Sequence, residues 1–178
     1  MEKKVETSEQ EHNFKSRKDW LQALQHGPNS SLLKERSLGS GKKSTYLPLH
    51  YQQALCEVFF DEFDVIENRV DIVFNEIVCT VKCQGLPSYP NSEYRTFAGI
   101  ASKPIQCNAG SNVALFPKGK KANALEYNAP ASRSAAISNA LSTLGNIFGR
   151  NLGRDVKDDY KMNQKPDKKK KSKKKNKK

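Results

Sequence analysis

PASRSAAISNALSTLGNIFGRNLGRD, residues 130–155, is the stretch whose reading decides the fold. Ile137, Leu141, Leu144 and Phe148 recur at steps of three and four, and Ala136, Ala140 and Ile147 widen the stripe. That spacing predicts a helix with one apolar face. Ser138, Ser142, Asn146 and Arg150 fall on the opposite side. Asn128 and Pro130 read as start signals, because the fixed φ of proline suits a first helical turn. Gly149 and Gly153 lie near the far end, beside Arg150 and Arg154. Glycine lets a backbone or a phosphate come close, and arginine binds it. The stretch is expected to cover a core and to present cations where the helix ends.

Upstream, residues 103–130 are irregular, with Lys118, Lys120 and Lys121 gathered around Gly119. A loop of that length in a small domain is usually functional. Before it, residues 64–69, 70–84 and 94–102 read as three strands. In the second, Ile77, Cys79, Val81 and Cys83 alternate with Val78, Thr80, Lys82 and Gln84, the pattern of a half-buried strand. A turn is expected at Glu67-Asn68, Asn75-Glu76 is a further candidate break, and GLPSYPNSE (85–93) carries the turn residues of the next connection. Pro48 opens a helix over 49–63, with Leu49, Leu55, Cys56, Phe59 and Phe60 as its apolar side. The expected fold is α+β: a helix, an antiparallel three-stranded β-meander, and a long helix on one sheet face.

Three regions follow from composition. Residues 1–44 read as a flexible N-terminal arm whose last segment, SLGSGKKS (37–44), is a linker. Phe14, Trp20, Leu21 and Leu24 form a short amphipathic segment in it, stopped by Gly27 and Pro28. Docking on its own domain is the expected role of that segment; helix-in-groove binding of a partner is the alternative. Residues 45–160 form the domain. Residues 161–178 hold 11 lysines and one acid, Asp167, and are expected to be a disordered basic tail.

The net charge of +12 is therefore mostly the tail's +10. Within the domain, residues 45–100 carry three basic and eight acidic side chains, a net of −5, whereas residues 101–160 carry eight basic and four acidic, a net of +4. Such polarity suits a binding groove built mainly from the second part, and head-to-tail contacts between subunits.

No apolar run is long enough to span a membrane, and the N-terminus has no hydrophobic core of a signal peptide, so a cytoplasmic protein is expected. Cys56, Cys79, Cys83 and Cys107 then read as free thiols, mostly small buried hydrophobes. No CxxC or paired histidine marks a zinc site. His12, His26 and His50 are scattered, and FPKGKKAN lacks the spacing of a phosphate loop. Asp155, Asp158 and Asp159 read as solvated charges or partners of Arg150 and Arg154 in preference to a metal site for a nuclease. Tyr46, Tyr51, Tyr89, Tyr94 and Tyr127 are candidates for base stacking or for packing. No catalytic residue and no cofactor is expected.

The order of elements resembles the annealing domain of the Rad-fifty-two superfamily, which includes phage single-strand annealing proteins of the Sak type. The resemblance is carried by ASRSAAISNALSTLGNIFGRNLG (131–153), above all Phe148-Gly149 and Leu152-Gly153, with YLPLHYQQALCEVFF (46–60) and YRTFAGIAS (94–102). It covers roughly residues 46–160. It implies a DNA-binding recombinase of phage character, acting in recombination or repair as a ring or helical homo-oligomer. Such a protein pairs single-stranded DNA into an annealed duplex without ATP. A single-strand-binding protein or an exonuclease is an expected further partner. Ser142, Thr143 and Asn146 stand where eukaryotic members place basic residues on the long helix, and Tyr51 matches an arginine of the first helix. The expected DNA contacts therefore move to Arg133, Arg150, Arg154, Lys118, Lys120 and Lys121. The alternative is non-specific nucleic-acid binding, mainly through the lysine tail.

Overall fold

The computed structural model describes residues 11–37, 41, 43–108 and 119–152. Three helices are α1 (Arg17–Gln25), α2 (Leu49–Phe59) and α3 (Ala124–Ser142). Strands β1 (Lys34–Ser37) and β2 (Lys43–Tyr46) pair as a hairpin, and β3 (Phe60–Val73), β4 (Glu76–Pro87) and β5 (Arg95–Pro104) form an antiparallel sheet in the order β3-β4-β5. The architecture is α+β, with the meander lying between α2 and α3 in the chain. The basic stretch 161–178 lies outside the described residues.

Alternation along β4 builds the main core. Ile77, Cys79, Val81 and Cys83 are all buried, and α3 lies across β4 and β5 on that side. Ala136, Ile137, Ala140 and Leu141 of α3 are buried there. The approach is close at one point. A Cβ on Gly99 of β5 would stand 2.1 Å from the Ala136 carbonyl oxygen, so only glycine lets helix and strand meet there. The Ser132 hydroxyl lies 3.1 Å from the Ile77 carbonyl and 3.0 Å from that of Ala101. With one proton to donate, it serves these two carbonyls as a shared donor.

The long helix begins earlier and ends sooner than its sequence signals. Ala124 packs with Ile77 and Ile105 in a second small cluster, and that burial draws the helix back to Ala124. Pro130 is therefore inside the helix, where it has no N–H for the Glu126 carbonyl. Asn128 does not start the helix; its Nδ2 donates to the Pro104 carbonyl at 3.0 Å and ties α3 to the end of β5. At the other end α3 stops at Ser142, and the Thr143 hydroxyl donates to the Ala140 carbonyl at 2.6 Å. A Cβ on Gly145 would lie 2.3 Å from the Leu24 carbonyl oxygen, a second close approach. A 3-10 turn, Asn146–Phe148, then returns Phe148 to the core, edge-on to Phe59 at 5.6 Å. Gly149 follows in the left-handed region at φ 91°. The apolar stripe is thus real, but its last members reach the core from a turn.

The β3–β4 turn is at Phe74-Asn75, and the turn expected at Glu67-Asn68 is absent. Asn68 pairs with Val81, and its Oδ1 accepts from the Cys79 thiol at 3.3 Å. A register shift between Val65 and Glu67 absorbs the irregularity within the strand. The end of α2 also moves: Phe60 is extended at φ −131°, so residues 60–63 belong to β3.

Two features lie within residues 1–44. Ser16 caps α1 by accepting from the Asp19 N–H, and Trp20 and Leu24 enter the main core. Trp20 Nε1 donates to the Phe59 carbonyl at 2.8 Å, and the Phe14 N–H donates to the Ser88 carbonyl at 2.9 Å. The segment 37–44, expected as a linker, instead contributes Ser37 to β1 and Lys43 and Ser44 to β2, with Ser37 paired to Lys43.

Sheet coverage is uneven. Val70 and Ile72 pair with Cys79 and Ile77, and so share their face, yet they are 47% and 55% exposed. α3 lies over β4 and β5 and barely reaches β3.

Candidate functional site

A cleft of about 440 Å³ opens between the β1–β2 hairpin, the end of β5 and one flank of α3. Ala135, Ser138, Asn139 and Ser142 recur at steps of three and four, so they share that flank. Among the described residues, Arg36 of β1 and Lys103 of β5 bring two cations to its lining, and no carboxylate is among them. The Arg36 guanidinium lies over the Tyr46 ring, 5.6 Å from its centroid. That stacking orients a planar fork of donors. Asn139 donates to the Ile100 carbonyl at 2.8 Å, and the Ser142 hydroxyl to the Asn139 carbonyl at 2.8 Å. Deeper in, Gln52 Nε2 donates to the Phe148 carbonyl at 2.8 Å. A cationic, hydroxyl-lined cleft of this kind can hold an anionic backbone.

Of the six cations singled out from the sequence, none of the four within the described residues lines the cleft. Arg133 is exposed on the flank of α3 nearer Cys79 and Cys83, whose thiols feel its charge. Arg150 folds back onto the end of α3: its Nε lies 3.4 Å from the Ser142 carbonyl and its Nη2 donates to the Thr143 carbonyl. It thereby serves carbonyls that the helix leaves without donors, beside the cleft. Lys120 forms an isolated backbone bridge with Cys107, and the Lys121 N–H donates to the Gln106 carbonyl at 3.0 Å. Lys118 and Arg154 lie outside the described residues, as do Asp155, Asp158 and Asp159.

Arg36 and Lys103 were legible only in hindsight of the hairpin and the strand end. KERS and KSTY are two short runs around a Gly/Ser-rich turn, which is a hairpin signal. Extending the Phe97, Gly99, Ala101 alternation by one step reaches Lys103, one residue past the expected strand end.

Among the described residues, no group of three or more His, Cys, Asp or Glu is placed to hold a metal ion. The four cysteines are free. Burial pushes the Cys56 thiol up to about 12 and the Cys83 thiol up to about 11, and it raises Cys79 as well. Native protein treated with a thiol reagent at mildly alkaline pH is expected to lose Cys107, which is half-buried, well before the other three. Denaturant should release all four together. The same shifts act on stability. Above the ordinary thiol value of 9.0 the unfolded chain ionises Cys56 while the folded chain does not until about 12, so this contribution is lost across that window.

Among the described residues, no helix is long and apolar enough to cross a membrane. No protein-family model matches the chain, and no curated protein matches it.

Proposed function

We propose that this chain binds single-stranded DNA and pairs complementary strands, in recombination or repair, as a ring or helical homo-oligomer that needs no ATP. The observation that carries the reading is a cleft with Arg36 and Lys103 on facing elements and no carboxylate among its described lining residues. Cations there hold one phosphate backbone and leave its bases outward. A second strand then tests register, and base pairing supplies the driving force. The resemblance of residues 46–160 to annealing domains gives the same activity.

Assembly has its own support. The bare far half of β3 offers Val70 and Ile72, and an unpaired strand edge. The acidic 45–100 and basic 101–160 regions are complementary between neighbours. Residues 161–178, at +10, add sequence-independent affinity but cannot impose register.

The test is strand-pairing kinetics together with negative-stain imaging, on the full chain and on a chain lacking residues 161–178. Accelerated pairing by rings or filaments is expected for both, with weaker DNA binding for the truncated chain. Monomers that bind DNA without accelerating pairing would replace this reading with the alternative, a non-specific binder acting through its tail.

A further inference from the structure

A second cationic pocket, of about 670 Å³, lies at the other end of β5. Arg95 opens the strand there, whereas Lys103 lines the cleft at its end. Eight residues of extended strand separate the two by roughly 25 Å. Lys15, just before the Ser16 cap, and Arg17, the first residue of α1, join Arg95 around the pocket, with Tyr89 and Tyr94 also lining it. Among the described residues none of these three cations has a carboxylate partner within ion-pair distance. The Arg95 guanidinium is stacked over the Trp20 ring at 5.0 Å, so it is oriented by a core side chain. Three cations and one carboxylate, Glu93, line the pocket, so its net positive charge favours an anion.

The surroundings narrow its class. Glu93 lines the pocket beside the cations, and the adjoining depression is lined by Glu62 and Asp64. Tyr94, shared by both, donates its hydroxyl to the Glu62 carboxylate. A continuous polyanion leaving the pocket on that side would run along carboxylates. A terminal phosphate has no such exit to make, and it concentrates nearly two negative charges at one point. We infer that this pocket binds a terminal phosphate, the phosphorylated end of a nucleic-acid strand. The site is distinct from the cleft, and it rests on the proposed DNA reading only for the identity of the strand. Tyr94, 52% exposed, is placed to contact the nucleotide that carries the phosphate.

The experiment uses the full chain and short oligothymidylates ending in a 5′-phosphate, a 3′-phosphate or hydroxyls only, with binding read by fluorescence anisotropy. One phosphorylated end is expected to bind roughly tenfold tighter than the hydroxyl-ended strand, the scale of one or two charge-assisted hydrogen bonds. Inorganic phosphate should compete that advantage away. Lys15→Gln with Arg17→Gln, both exposed on either side of the Ser16 cap of α1, should bring the ratio to about one and leave hydroxyl-ended binding unchanged. Equal binding of all three strands by the wild-type chain overturns the inference. So does a preference that survives the double substitution, which assigns it to other cations. An equal loss for all three strands makes the pocket a mid-strand contact and also overturns it. Loss of hydroxyl-ended binding from the wild-type chain is a different result, and it counts against the proposed function.

Discussion

Arg36→Glu combined with Lys103→Glu is expected to weaken oligothymidylate binding by about 100-fold or more and to abolish strand pairing. The size follows from the cleft. Among the described residues its lining holds two cations and no carboxylate, so reversing both removes that attraction and puts two negative charges beside the phosphates. Each lost charge-assisted contact is worth about 1.5–3 kcal/mol, and the new repulsion adds to that. The salt dependence offers a sharper readout than affinity. Each neutralised phosphate contributes about 0.7 to the log–log slope for single strands, so the slope should fall by roughly 1.4. The tail's share of that slope stays in place. Arg36 is exposed on a two-stranded hairpin, so thermal unfolding should move little. An unchanged slope in a folded double variant would remove the cleft from DNA binding.

Trp20→Ala is expected to cost about 3–5 kcal/mol. Trp20 is fully buried, donates to the Phe59 carbonyl at 2.8 Å, and packs edge-on to Phe60 at 6.0 Å. Removing the indole leaves a cavity, takes one of its two donors from the Phe59 carbonyl (the Ser88 N–H remains), and leaves Arg95 unsupported. At the scale of this domain the melting temperature should drop by roughly 10–20 °C. Urea or thermal denaturation followed by circular dichroism measures it. A change under about 1 kcal/mol would mean that α1 is dispensable to the core.

Periodicity carried most of the fold because the buried faces are regular. β4 alternates through Ile77, Cys79, Val81 and Cys83 without a break, and α3 keeps its apolar stripe through Ala140 and Leu141. Boundaries were less legible, because tertiary contacts set them. Ala124 finds Ile77 and Ile105, so the helix extends past a proline. Asn68 finds Val81 across the sheet, so a turn-like pair stays in a strand. The site was least legible. Arg36 belongs to four residues with no buried face, and a strand exposed along its whole length leaves no hydrophobic alternation to read. Arg133 and Arg150 stood out as cations on the helical stretch and at its expected end. Their surroundings, Cys79 and Cys83 for one and helix-end carbonyls for the other, depend on chain paths that spacing does not encode.

The bare far half of β3 gives one strand two different local stabilities. Phe60, Phe63 and Val65 belong to the main core or pack against it, so the amide protons of that half that are bonded to β4 should exchange with solvent only on global unfolding. Val70 and Ile72 have no such cover, and the hairpin tip carries Phe74 at 80% exposure. That half can open without disturbing the remainder, at a free energy well below that of global unfolding. Protection acquired there on raising the protein concentration would then report a neighbour, residue by residue, in a chain whose own fold has not changed.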